Sequence, residues 1–173
     1  MNSMPDLDAI PGVFLHPGEI HFGQAPLLIS TLLGSCVAVT LWHPRRKIGG
    51  MCHIMLPTRG GWLGKTLDGR YADEAMELLF QSTLLWGARS TEFQAKMFGG
   101  GDMFKGLGNS TNSVSHRNVE ATRQAILARG YQLMSEHVRG AGHRKLIFDL
   151  DRGDVWLRFQ KDLPTPMVMA MAS

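Results

Sequence analysis

From Leu27 to Trp42 the chain is apolar almost throughout, and the main break in the run is Gly34-Ser35-Cys36. A stretch this continuous offers no polar side to water, so it reads as strand buried on both faces. Beyond the break Val37, Val39 and Leu41 alternate with Ala38, Thr40 and Trp42, the period-two pattern of a strand. Two strands, or two halves of one, meeting at a Gly-Ser bend account for the run. His43-Pro44-Arg45-Arg46-Lys47 then supplies a polar turn, and Ile48 to Leu56 returns as a second strand ended by Pro57. The expectation is a hairpin set inside a core.

The pattern changes from Tyr71 to Trp86, where Ala72, Ala75, Met76, Leu79 and Thr83 recur at helical spacing and Asp73, Glu74 and Glu77 are left to the surface. Asp73 and Glu74 suit a first turn, and Gly87 suits a C-terminal stop. A second helix is predicted from Asn118, as N-cap, to Arg129, with Val119, Thr122, Ala125, Ile126 and Leu127 inward and Gly130 as its end. Residues 94–98, 132–138, 145–150 and 154–159 read as further strands, the last two joined by the turn Asp151-Arg152-Gly153. Strands open and close the chain, with two helices between them and no regular strand-helix alternation. The class is therefore α+β or mixed α/β. At 173 residues one core suffices. Residues 1–11, with Pro5 and Pro11, read as a flexible lead, residues 12–160 as the domain, and residues 161–173 as a flexible tail.

Composition removes several function classes. Lys plus Arg number 18 against 15 for Asp plus Glu, and the small surplus forms no basic stripe of the kind that tracks nucleic acid. No segment approaches the ~20 apolar residues of a membrane span, and the first thirteen residues lack a signal-peptide pattern. Two cysteines do not make a disulfide framework. The expectation is a soluble cytoplasmic protein with reduced thiols, no nucleic-acid partner and no membrane insertion.

A cysteine directly after Gly-Ser at the head of a strand is placed for chemistry. Gly34 carries no side chain to block a substrate carbonyl, and the bend at Gly34 and Ser35 frees backbone N–H groups to meet a developing oxyanion. A thiol of ordinary pKa needs a base near neutral pH. His53 lies on the partner strand of the hairpin, where the ladder can bring it opposite Cys36. Its neighbour Cys52 then points the other way, because successive strand side chains face opposite sides. From spacing alone, though, a lone cysteine in an apolar run is more often a small buried hydrophobe than a nucleophile. A zinc site from Cys36, His43, Cys52 and His53 is weaker still, since adjacent Cys-His ligands lack the usual loop spacing. Gly99-Gly100-Gly101-Asp102 lacks the ending of a phosphate loop and reads as a tight turn after a strand.

Two blocks go beyond spacing: Leu33-Gly34-Ser35-Cys36-Val37-Ala38-Val39, and Ile48 to Pro57 with Gly49-Gly50-Met51-Cys52-His53 at its centre. Together they resemble the signature of the CheD family. The likeness continues through Tyr71-Ala72-Asp73, Ala95-Lys96-Met97-Phe98-Gly99-Gly100, Arg117-Asn118-Val119-Glu120 and Gly140 to Phe148, spanning roughly residues 12–160. The resemblance implies a bacterial chemotaxis enzyme that converts glutamines of methyl-accepting chemotaxis receptors to glutamates through a cysteine thioester. It places the catalytic Cys on Cys36 and the catalytic His on His53. A third family residue, a Thr, falls by offset on Ser30, with Thr31 beside it. The resemblance also implies a single-domain layered sandwich of mixed β-sheets with two main helices, like the cytotoxic necrotizing factor deamidases, with no cofactor and no metal. Some relatives bind the phosphatase CheC. Arg45, Arg46 and Lys47 are then expected near the mouth of the cleft, facing a Glu-rich receptor surface.

Overall fold

The structure, a computed structural model, describes residues 3–103 and 113–161. Among these residues the strands are β1 (Gly12–Leu15), β2 (Ile20–Gln24), β3 (Leu28–Leu33), β4 (Val37–His43), β5 (Ile48–Ile54), β6 (Gln94–Gly99), β7 (Gln132–Val138), β8 (Gly142–Asp149) and β9 (Val155–Lys161). Helix α1 runs Ala72–Leu85 and helix α2 runs Val114–Ala128. The strands form two mixed sheets, ordered β1-β3-β8-β9 and β2-β5-β4-β6-β7. In the first, β1 lies parallel to β3; in the second, β6 lies parallel to β7; the other pairs are antiparallel.

Three layers follow from which side each strand residue faces. Val37, Val39, Leu41, Cys52, Ile54, Ala95 and Met97 pack under Ala72, Ala75, Met76 and Leu79 of α1 and Val119, Ala125 and Ile126 of α2. The alternate residues Ala38, Met51 and Phe98 face the four-stranded sheet and meet Leu15, Ile29, Leu33, Leu146 and Phe148. The five-stranded sheet is thus the middle layer, which is why β4 and β5 are buried on both faces.

The hairpin β4–β5 pairs Val37 with Ile54 and His43 with Ile48. The bend at Gly34-Ser35-Cys36 does more than kink one strand. It carries the chain from β3 in the outer sheet to β4 in the middle sheet. Strands β1 and β2 are not predicted from the sequence, because they are short, mostly half-exposed edge elements without an apolar run to announce them.

Four other expectations change. Helix α2 starts at Val114, and its N-cap is Ser113, whose hydroxyl accepts from His116 N–H at 3.2 Å. Asn118 lies inside the helix and is fully buried. Leu127 is 57% exposed, so it belongs to the outer face of α2. Glu74 is no surface residue. It is fully buried, and Arg59 donates to it from Nε at 2.9 Å and from Nη2 at 2.7 Å. Lys161, read as the head of the tail, closes β9 opposite Gly142; residues 162–173 lie outside the described residues.

Candidate active site

Gly34-Ser35-Cys36 is held by its carbonyls. Gly101 N–H donates to Gly34 O at 2.9 Å and Gly100 N–H to Cys36 O at 2.8 Å. Asn118 Nδ2 donates to Ser35 O at 3.3 Å. The glycines of Gly99-Gly100-Gly101 make this approach possible. At Gly99, already at φ 110°, a Cβ would stand 2.2 Å from Cys36 O; at Gly101 it would stand 2.7 Å from Gly142 O. Among the described residues, none accepts from the backbone N–H of Ser35 or Cys36. The space above Gly34 is occupied: a Cβ there would meet the Met103 sulfur at 3.3 Å. Room at that position is taken up by a flexible thioether rather than left open.

His53 pairs with Ala38 in the ladder, two residues beyond Cys36. Residues two apart on an extended chain share a side, so Cys36, Ala38 and His53 all face the outer sheet. Cys36 packs, half-buried, against the inter-sheet cluster that contains Ala38, Met51 and Phe98. Cys52 points the other way, fully buried beneath the helices. That separation also disperses the four residues of the weaker zinc alternative, since Cys52 and His53 lie on opposite faces and His43 sits at the far end of β4.

Of the adjacent hydroxyls Ser30 and Thr31, it is Thr31 that reaches His53. On β3, Ile29, Thr31 and Leu33 point inward, while Leu28, Ser30 and Leu32 point to the outer side. Thr31 is fully buried, its Oγ1 donates to Leu15 O at 2.8 Å and lies 2.7 Å from His53 Nδ1. A hydroxyl has one proton to give. With that proton on Leu15 O, Thr31 Oγ1 accepts from His53 Nδ1–H, which leaves the lone pair of the ring on Nε2. The backbone of His53 is fixed as well: its N–H donates to Glu19 O at 3.1 Å, and its carbonyl accepts from Gly18 N–H at 2.8 Å.

Burial pushes the Cys36 thiol above its ordinary pKa. Cys52, sealed under the helices, is pushed up to about 12. Burial also holds the His53 pKa below its ordinary value; the Leu15 carbonyl and the Glu19 carboxylate work against that shift, and His16 adds to it. Both groups of the pair are therefore neutral at rest near pH 7. A half-buried thiol and an imidazole whose Nδ1 is engaged by Thr31 thus lie on one face of the sheet.

Residues 55–159, more than half of the chain, match the family described as CheD chemotactic sensory transduction. The chain is 52% identical over 147 residues to the probable chemoreceptor glutamine deamidase CheD 3 of Dechloromonas aromatica, covering 85% of this chain and 86% of the relative. The chain belongs to the CheD family. A second relative in the family, the probable chemoreceptor glutamine deamidase CheD of Pseudomonas savastanoi pv. phaseolicola, is 47% identical over 150 residues, 86% of this chain and 84% of its own. The counterpart from Maridesulfovibrio salexigens is 36% identical over 156 residues, 84% of this chain and 90% of its own. A match over 147 of 173 residues leaves too few unmatched at either end to omit Cys36 or His53. The crystal structure of the Bacillus licheniformis hypothetical protein YfiH is similar over 69% of this chain and 49% of that one, at TM-score 0.45 and 14% identity.

Two features of this region in the CheD-family chain differ from the sequence expectation. Arg45, Arg46 and Lys47 form the tip of the β4–β5 hairpin, at the opposite end of β4 from Cys36, roughly 20 Å away at ~3.3 Å per residue. They do not border the site, and Lys47 Nζ instead donates to Asp151 Oδ1 at 2.8 Å. Asn118, expected as a helix cap, instead reaches the bend with its side chain. Its signal was an asparagine on the stripe Ser115, Asn118, Val119, Thr122, Ala125 and Ile126, where an apolar residue is the default. No helix among the described residues is long and apolar enough to cross a membrane.

Proposed function

We propose that this CheD-family chain is a cytoplasmic protein-glutamine deamidase acting on chemoreceptors, with Cys36 as nucleophile, His53 as base and acid, and Thr31 as the group that orients His53. The relatives named as chemoreceptor glutamine deamidases support the substrate class. The observation that carries the chemistry is the Thr31–His53 contact at 2.7 Å, beside a half-buried cysteine on the same face of the sheet.

In the first half-reaction Cys36 Sγ attacks the carboxamide carbon of a receptor glutamine while its proton passes to His53 Nε2. The oxygen that gains charge is met by the N–H groups of Cys36 and Ser35, which have no acceptor among the described residues. His53 returns the proton to the nitrogen, ammonia departs and a thioester to Cys36 remains. In the second half-reaction a water gives its proton to Nε2 and its oxygen to the acyl carbon, the thioester C–S bond breaks, and the proton returns to sulfur. The products are glutamate and the starting enzyme. Proton transfer of this kind contributes ~10² to 10⁴-fold. No cofactor or metal is required by this sequence of steps. A CheC-type phosphatase is the partner we propose beyond the receptor.

Receptor masses before and after incubation test the reading. The parent protein produces the amide-to-acid increase at particular glutamines, and Cys36→Ala abolishes it. A Cys36→Ala protein that deamidates at the parent rate would leave the chain as a non-enzymatic binding module. Addition of a whole amine in place of the amide-to-acid change would make it an acyl transferase instead.

A further inference from the structure

Asn118 joins the two arms of the site. Its Nδ2 donates to Ser35 O at 3.3 Å, immediately before Cys36, and to Met55 O at 2.9 Å, two residues after His53. The residue is fully buried in the second turn of α2, 83 and 63 positions away from the carbonyls that it grips. Two carbonyl acceptors fix which end of the amide is nitrogen, because an oxygen there would face two oxygens. Oδ1, on the other side, is buried with no hydrogen-bond partner among the described residues. A buried amide left half-satisfied costs free energy that an apolar residue on the same stripe would avoid. Packing therefore does not account for an asparagine here, whereas the bend does.

The Ser35–Cys36 peptide is a rigid unit in which the carbonyl of Ser35 and the N–H of Cys36 point in opposite directions. Gripping Ser35 O from the helix side thus aims the Cys36 N–H away from the helix, toward the face of the sheet that Cys36 and His53 share. The same amide ties that peptide to the end of the strand bearing His53. We propose that Asn118 is a positioning residue: through the Ser35–Cys36 peptide it orients the backbone N–H that stabilises the oxyanion, and it sets the spacing between the nucleophile's bend and the base's strand. This rests on the reading of Cys36 as the nucleophile.

Attack on an amide needs the oxyanion donor, whereas alkylation of the thiol by iodoacetamide does not, so the two reactions separate this role from general loosening. Asn118→Asp keeps the shape and removes the amide donor, and Asn118→Ser removes the reach. Per folded molecule, both variants should deamidate receptor with kcat lowered about 10- to 100-fold and KM changed less than about threefold, the scale of a misaligned transition-state group. Their Cys36 alkylation rates, followed by intact mass, should stay within about threefold of the parent. Parent-like kcat in either variant overturns the proposal. So does a parallel fall in kcat and alkylation, which marks collapse of the whole site. In the parent protein the Asn118 side-chain amide protons should exchange with water as slowly as the backbone amides of α2 in nuclear magnetic resonance spectra, and exchange at the rate of an exposed asparagine also overturns the proposal, whether or not the variants fold. The underlying assignment fails separately, by full activity of Cys36→Ala.

Discussion

Replacing Thr31 by Val isolates the hydroxyl at nearly constant shape. Thr31 is fully buried and makes two contacts, donating to Leu15 O at 2.8 Å and standing 2.7 Å from His53 Nδ1. The valine variant leaves Leu15 O without that donor and Nδ1–H without that acceptor. A neutral hydrogen bond contributes about 1 kcal/mol net, and a buried group left unpaired costs ~1–3 kcal/mol, so the fold should lose about that much stability in urea titration. The kinetic effect is separate. A bias of ~1–1.5 kcal/mol toward the tautomer with a bare Nε2 is worth about tenfold in the fraction of competent enzyme. Looser ring orientation adds to this, while the Leu15 carbonyl, which already favours the protonated ring, recovers part of it. We expect kcat/KM for receptor deamidation to fall about 10- to 100-fold, well short of the ~10⁴ lost when an orienting acceptor is reversed outright. Ser30→Ala, on the outer side of β3, should remain within about twofold. A Thr31→Val enzyme within twofold of the parent, or a larger loss at Ser30 than at Thr31, would refute the reasoning.

Because burial depresses the His53 pKa, the acid limb of the kcat/KM profile should lie below the ordinary histidine value of ~6.5, and a limb above it contradicts the neutral resting pair. The same shift sets a sign for stability. His53 binds its proton less readily folded than unfolded, so stability should fall as pH drops below ~6.5 and level off once pH passes the folded pKa, by at most about 1.4 kcal/mol per pH unit. Arg59→Ala should destabilise the fold by ~3–5 kcal/mol, because Glu74 is fully buried and loses its bidentate partner. Adding Glu74→Gln to that variant should restore part of the loss, as read by urea midpoint.

The parts of the fold legible in the sequence are those where one pattern decides the environment. The apolar alternation of β4 and the apolar return from Ile48 give the buried hairpin, although β5 ends at Ile54 rather than at Pro57, and the stripe Ala72, Ala75, Met76, Leu79 gives the inner face of α1. Alternation also separates Cys52 from His53, since a one-residue step on a strand reverses the face. What the chain does not advertise locally is decided by contacts made far away. Glu74 looks like a surface helix residue until Arg59, fifteen positions earlier, folds over it. Asn118 looks like a cap until the bend 83 positions away is brought beside α2. Thr31 and Ser30 are adjacent hydroxyls in one strand, and only the sheet that faces Thr31 distinguishes them.

The placement of the site follows from the change of sheet. A strand that stayed in one layer would pair its backbone groups with neighbours and leave none for a substrate. At Gly34-Ser35-Cys36 the ladder is abandoned, and every carbonyl of the link finds a donor from the glycine loop or from Asn118. Among the described residues none accepts from the N–H groups of Ser35 and Cys36, and His53, on the same face as Cys36, has its Nδ1 committed to Thr31. Under the proposed chemistry, docking of a receptor helix over the half-buried Cys36 would remove more water, pushing the thiol further up and the imidazole further down. A preformed thiolate–imidazolium pair is therefore disfavoured in the complex. Proton transfer must accompany attack, and the rate then depends on the aim of Nε2 and of the Cys36 N–H. Those are the two directions that Thr31 and Asn118 hold.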